Sequence, residues 1–324
     1  SGLGAFNTAS VFALTVDAPQ AMRVHWAKLP PFLKLPTVSA PATVGNQLIF
    51  GDGMHQTDGA ALHCLNAATG RLAWRYAIPG QLVHIEGAPT IAGDKVFFGG
   101  GHAGLVCLDT SKLNLDGKEV TAAEAEKIID AKWQQLLAAF EADKKKDPDF
   151  AIPPSEDALP KSAPRLVWQK GKDQWHIDAP VAVAGDRVVA ATAFLDVEKS
   201  GERALVCVSA KDGSELWKTP LTYNPWPGPT VHNDLVFIGC SNIRFDPKEI
   251  PKAKGEVVAI SLADGKPAWR RDVPGGVVSS VVATDKFVVF TATDGKVRGL
   301  DRSTGMRAWT YEAGAPLFAA PAVA

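Results

Sequence analysis

The chain has 324 residues, of which 46% are hydrophobic and 21% charged, with a formal net charge of -1. This balance is that of a folded globular protein and excludes a disordered chain, and dispersed charges near neutrality give no basic footprint for a nucleic acid. No apolar run approaches the roughly 18 residues of a membrane helix, and the opening SGLGAFNTASVFALTV lacks the cationic head and unbroken apolar core of a secretory signal. The sequence does not begin with Met, so a mature or trimmed chain is expected, from which any export signal would be lost.

In chain order, residues 2–26, ending at Trp26, read as strands two to four of a four-stranded unit. The next unit opens on small residues at Ala40-Pro41, turns at VGNQLIFGD, and closes with the hairpin phrase LNAATGRLAW at Trp74. A second unit begins at Ala88-Pro89, turns at AGDKVFFGG, and is interrupted after Asp109. The insert, residues 110–164, carries a helix: Thr121 and Glu124 have capping-box spacing, and Ile129, Trp133, Leu136, Leu137 and Phe140 recur at helical intervals. Lys144, Lys145 and Lys146 favour the C-terminal end of the macrodipole, Asp147-Pro148 stops the helix, and PPSEDALPKSAP tethers the chain back to Trp168. This helix is expected to pack on the propeller's own flank at the bottom face; a partner-docking helix is the alternative. Further units start at Ala179-Pro180 and Gly228-Pro229, with turns AGDRVVAAT and HNDLVFIGC, and a last one turns at ATDKFVVFT. Their closing phrases VSAKDGSELW, ISLADGKPAW and LDRSTGMRAW end at Trp217, Trp269 and Trp309, and FAAPAVA at the C-terminus reads as one more first strand.

The spacing within the closing phrase is constant. Gly70, Gly213, Gly265 and Gly305 each stand four residues before a Trp, where a hairpin turn with positive φ admits a residue without Cβ. Six closing Trp residues (Trp26, Trp74, Trp168, Trp217, Trp269 and Trp309) mark six units of four short strands at a period of 40 to 50 residues. That is the signature of an all-β fold, a β-propeller of four-stranded antiparallel blades, forming one domain over residues 1–324. The terminal pieces complete one blade between them, or else the chain is part of a seven- or eight-bladed ring. Cys64, Cys107 and Cys207 recur at one place in LHCL, LVCL and LVCV, as core packing residues.

The phrase D/N-x-x-T/D-G-x-x-x-W resembles the repeat of the pyrroloquinoline-quinone-like β-propellers, a bacterial family that includes the outer-membrane assembly lipoprotein B and, more distantly, the quinoprotein alcohol dehydrogenases. The resemblance covers nearly the whole chain apart from the insert. It implies Trp and Gly residues that pack between blades, a periplasmic or other extracytoplasmic location, and a protein or peptide partner. In the dehydrogenases the quinone is sandwiched between a disulfide of sequence-adjacent cysteines and a Trp, with calcium nearby. This chain has no adjacent cysteines, so none of those residues transfers and no cofactor is expected.

Chemistry-bearing residues gather at the other strand ends. His84 and Glu86 in LVHIEGAP, and His176 and Asp178 in WHIDAP, precede the first strands of neighbouring blades, and residues two apart on an extended chain face the same way. His55 in GDGMHQTDG and His102 in GGGHAG lie in loops joining second to third strands, on the same top face. Imidazole with carboxylate suits zinc, iron or manganese. The alternative is polar groups that border a wet channel and bond to loop backbone. Trp175 and Trp226 are further aromatic candidates, and Arg244, Asp246 and Lys248 read as solvated loop charges. The sequence has no G-x-S-x-G, H-E-x-x-H or P-loop. The expectation is therefore a noncatalytic scaffold that binds protein or peptide. A quinone- or metal-dependent oxidoreductase with its site at the top-face channel mouth is the alternative.

Overall fold

The computed structural model describes residues 11–14, 24–28, 30–55, 57–243 and 248–323. The chain divides into two compact units, residues 1–96 with 108–167 and residues 97–107 with 168–324. Strands β1 (Val11–Leu14) and β2 (Val24–Lys28) form a two-stranded antiparallel sheet. The remainder of the expected terminal blade at residues 1–10 and 15–23 lies outside the described residues. Strands β3 (Ala42–Val44), β4 (Gln47–Gly51), β5 (Ala60–Asn66) and β6 (Leu72–Ile78) pair in chain order. The insert-bearing sheet contains β7 (Thr90–Ala92), β8 (Lys95–Gly99), β9 (Leu105–Leu115), β10 (Lys118–Thr121) and β11 (Ser162–Lys170), in the order β10-β9-β8-β7 with β11 also paired to β9.

Three further meanders complete the fold. They are β12 (Ala182–Ala184), β13 (Arg187–Leu195), β14 (Ser200–Ser209) and β15 (Glu215–Pro220); β16 (Thr230–His232), β17 (Leu235–Ser241), β18 (Gly255–Ser261) and β19 (Pro267–Val273); and β20 (Val282–Ala283), β21 (Phe287–Ala292), β22 (Lys296–Asp301) and β23 (Arg307–Glu312). Every pairing within them is antiparallel. The expected first strand in FAAPAVA is not formed over residues 318–323. That segment is anchored instead by single contacts, such as Thr291 Oγ1 donating to Ala319 O at 2.7 Å.

The strand lengths follow from burial. Several second and third strands are apolar on both faces: β5, β17 and β18 are buried along nearly their whole length. In the second unit, Val189, Leu205 and Cys207 of one sheet pack against Val236, Ile238 and Val258 of the next, with Trp217 in the same cluster. The following joint repeats the arrangement with Phe237, Val257, Trp269, Val288 and Phe290. Burial of such side chains contributes roughly 1.5–3 kcal/mol each, enough for cohesion without a disulfide. All four cysteines are free and buried, and burial pushes the Cys207 thiol up to about 12 and those of Cys64 and Cys240 upward as well.

At four joints the repeat phrase forms a latch from one sheet to the next. Asp301 Oδ1 accepts from the backbone N–H groups of Ser303 at 3.1 Å and Thr304 at 2.8 Å, which closes the turn. Gly305 follows at φ +67. Trp269 Nε1 donates to Arg302 O at 2.9 Å, while its ring lies where a Cβ on Gly305 would stand. Trp217 does the same on Leu262 O at 2.9 Å with Gly265, Trp168 on Ala210 O at 3.3 Å with Gly213, and Trp26 on Ala67 O at 2.7 Å with Gly70. Glycine is thus required twice over, by its positive φ and by the indole against it.

The insert departs from this pattern. Instead of turning after Asp109, β9 continues to Leu115 and returns as β10, and Thr121 then caps helix α1 (Ala122–Lys146) in a full capping box with Glu124. Asp147 closes the helix, with Lys144, Lys145 and Lys146 in its last turn. Only Ala125 and Ile129 of the helix are buried; Trp133, Leu136, Leu137 and Phe140 are half-buried. The helix lies against the preceding sheet, at the turns around Asn46 and Asn66. Ion pairs of Arg71 with Asp130 and of Lys28 with Glu156 hold the insert there.

Candidate functional site

At the opposite strand ends, a glycine at the end of the second strand sets the direction of the candidate side chains. A Cβ on Gly51 would collide with Ile85, and one on Gly99 with Ile177, so each isoleucine lies down on bare backbone. Alternation along an extended chain then turns the residues flanking it, His84 and Glu86 or His176 and Asp178, the other way. The same close approach recurs at Gly239 with Val277, but there Gly276 and Val278 replace the imidazole and the carboxylate.

In the first unit, His55 and His84 meet edge to face with ring centroids 5.6 Å apart, and His84 is fully buried. Ile85 N donates to Asp52 O at 2.9 Å, which fixes the segment on its own blade. Glu86 is half-buried. In the second unit, His102 and His176 lie at 4.9 Å between centroids and 89° between planes. His176 Nε2 stands 3.0 Å from Asp178 Oδ1. The backbone holds this cluster tightly. His176 N donates to Thr192 Oγ1 at 2.9 Å, Gly101 and Ile177 exchange two backbone hydrogen bonds, and Asp173 N donates to His102 O at 2.8 Å. His176 is 0% and His102 8% exposed, so the two imidazoles of this second-unit cluster are shielded from solvent.

A buried pair was not evident from sequence. His63 Nε2 and Asp52 Oδ2 share a hydrogen bond at 2.8 Å, both side chains almost wholly buried, with Phe32 and Phe50 rings at 5.3 and 5.5 Å from the imidazole. Asp52 also accepts from Ala61 N, so the carboxylate ties β5 to the turn after β4. In the second unit Glu256 plays a similar part, accepting from Thr222 N at 2.8 Å and from Arg270. Of the other sequence candidates, Trp175 is buried and packs on Gly171, Trp226 is half-buried and Lys248 is exposed; Arg244 and Asp246 lie outside the described residues.

The cysteines decide whether the site of the quinoprotein dehydrogenases is present. Cys64, Cys107, Cys207 and Cys240 stand singly on β5, β9, β14 and β17, free and enclosed in apolar packing, so no adjacent-cysteine disulfide can form. The residues present do not fit that group.

Antiparallel four-stranded sheets latched by Trp and Gly at a constant spacing define a β-propeller of the quinone-repeat class. Comparison with known proteins gives the family. The sequence family described as outer membrane protein assembly factor BamB matches residues 21–139, 161–242 and 227–323, and the chain belongs to it. The outer membrane protein assembly factor BamB of Burkholderia pseudomallei is 29% identical over 147 residues, which cover 45% of this chain and 33% of that protein. The chain thus spans about a third of the length of that curated relative. Among solved structures, BamB from Moraxella catarrhalis superposes with a TM-score of 0.58 at 12% identity, covering 96% of this chain and 79% of that one. The quinohemoprotein alcohol dehydrogenase of Comamonas testosteroni superposes at 0.55 and 13% identity, covering 86% and 43% respectively; these two share the fold.

Proposed function

We propose that this chain is a noncatalytic propeller that binds protein partners during outer-membrane protein assembly, in an extracytoplasmic compartment. The observation that supports it is the family match over residues 21–139 and 161–323, joined to a surface suited to the task. Strand β23 is the edge of its sheet, and all six of its residues are exposed, including Trp309 at 38% and Tyr311 at 65%. Met306, just before it, is 67% exposed. An edge with unpaired backbone groups and aromatic side chains accepts an extended partner segment as an added strand. The test is a photoreactive amino acid at position 311 in the native full-length protein in its own cells. A crosslink to an identified outer-membrane assembly component, lost in Trp309→Asp, supports the reading. Crosslinks confined to the same polypeptide, or a protein retained in the cytoplasm, would contradict it.

A second reading rests on the second-unit cluster of His102, His176 and Asp178. Two imidazoles and a carboxylate are a donor set for zinc, iron or manganese, and the 3.0 Å between His176 Nε2 and Asp178 Oδ1 matches two ligand atoms about 2.1 Å from one ion at a near-right angle. Elemental analysis of protein purified without chelator decides: stoichiometric metal lost in His176→Ala favours this reading, and metal-free protein excludes it.

A further inference from the structure

The joint at the insert differs from the other latches in a way that creates a cavity. At four joints the Trp Nε1 donates to the carbonyl of the residue that follows the first position of the next turn, namely Ala67, Ala210, Leu262 and Arg302. For Trp74 the corresponding residue is Thr110, which follows Asp109. Here no turn forms, because β9 runs on through Thr110 to Leu115, although Thr110 N donates to Asp94 O at 2.8 Å as Ala67, Ala210, Leu262 and Arg302 do to their own partners. Trp74 is 1% exposed, yet among the described residues none accepts a hydrogen bond from its Nε1. No turn glycine lies against its ring either, since the closing phrase is interrupted. An N–H group enclosed without a partner is destabilising, and such groups in native proteins call for a reason.

The space where the turn would have been is a cavity of about 520 Å³ lined by Trp74, Thr110 and Leu113 and by the first turns of α1. Leu113 and Ala125 give it a buried apolar floor. Asn46 and Asn66 form one wall, and both side-chain amides donate to Glu126 Oε1. These contacts hold the Glu126 carboxylate at the rim without neutralising it. Asp94 adds a second carboxylate, and the lining contains no Lys or Arg. The capped start of the helix has its own acceptor in Thr121 and is not the anchor of the site; the enclosed indole N–H is.

We propose that this cavity is a binding site for a small cation that carries an amide carbonyl. The carbonyl accepts from Trp74 Nε1 once the indole edge, enclosed in the unbound chain, turns toward the cavity, and the ammonium group lies between Glu126 and Asp94. The volume falls within the range of ordinary small-molecule pockets. The joint that the insert opens in this way acquires a function distinct from partner docking on β23.

The test titrates the full chain with alanyl-alaninamide, which is cationic, and with its neutral N-acetyl form. The indole resonances are followed by ¹H–¹⁵N spectra, with that of Trp74 assigned by its loss in Trp74→Phe. The Trp74 signal should move selectively, with Kd on the order of 1 mM or tighter for the cation. Binding should be about tenfold weaker for the neutral form and about tenfold weaker in Trp74→Phe by calorimetry. Glu126→Gln, at an exposed position, should remove the preference for the cation, and it decides the matter alone if Trp74→Phe does not fold. A Trp74 signal that stays still throughout, or parent affinity in both variants, would overturn the proposal.

Discussion

The difference between a closed and an open joint can be measured with one conservative substitution placed twice. Trp217→Phe keeps an aromatic ring but removes the donor to Leu262 O at 2.9 Å, leaving that carbonyl without its indole partner. Trp74→Phe removes a donor that no described residue accepts from. Both indoles are buried, at 7% and 1% exposure, so the cost of replacing indole by phenyl is similar at the two sites and cancels in the comparison. The remaining difference is the hydrogen bond, about 1–3 kcal/mol when one buried partner is left unpaired. With a urea slope of about 3 kcal/mol/M, that separates the two unfolding midpoints by about 0.3 to 1 M, Trp217→Phe being the less stable. Urea unfolding followed by circular dichroism at unchanged slope measures it. Equal losses at both positions would refute the claim that the indole N–H is latched at one joint and open at the other.

The turn glycines give a second comparison. Gly265→Ala meets both a positive φ of +73 and the Trp217 ring at 2.8 Å, and should cost about 2–5 kcal/mol; Gly93→Ala, at φ +58 with nothing within 4 Å, should cost about 1–2 kcal/mol by the same unfolding measurement. Asp264 is held down to about 2, first by its contact with Lys266 and by Ser261. A carboxyl lowered in the folded state contributes stability that is present above its unfolded value near 3.9 and is lost as pH falls through about 2. Asp264→Asn should therefore flatten the decline of the thermal midpoint across that window, and an unchanged slope would count against the turn contacts. The thiols of Cys64, Cys107, Cys207 and Cys240 are buried, so a thiol reagent at neutral pH should find none of them in the folded protein and all four after denaturation. Rapid modification of the native protein would contradict the packing.

Much of the architecture was legible because the turn phrase makes two demands on chemistry at once. Asp301 closes its turn, and Gly305 admits the indole of the preceding blade, so Asp301, Gly305 and Trp269 cannot drift independently, nor can Gly265 and Trp217. The helix of the insert was legible for the same kind of reason, through the Thr121 and Glu124 reciprocal cap. Orientation of the histidines followed from alternation, but the cause, Ile85 and Ile177 lying on Gly51 and Gly99, is a contact between segments that periodicity cannot express. His63 and Asp52 escaped notice because β5 is buried on both faces, which leaves no polar-outward pattern against which a buried imidazole would stand out. Trp74 carries the same sequence phrase as its counterparts. Its difference lies in what the following blade fails to offer, and only the course of β9 beyond Asp109 reveals it.

The central claim is that the insert exchanges one inter-blade latch for an open cavity. Hydrogen exchange of the indole N–H groups tests it most directly, in ¹H–¹⁵N spectra assigned by single Trp→Phe variants. The N–H groups of Trp217 and Trp269, bonded to Leu262 and Arg302, should exchange only on unfolding, while that of Trp74 exchanges orders of magnitude faster from the folded state. A Trp74 indole as strongly protected as the other two would contradict the account.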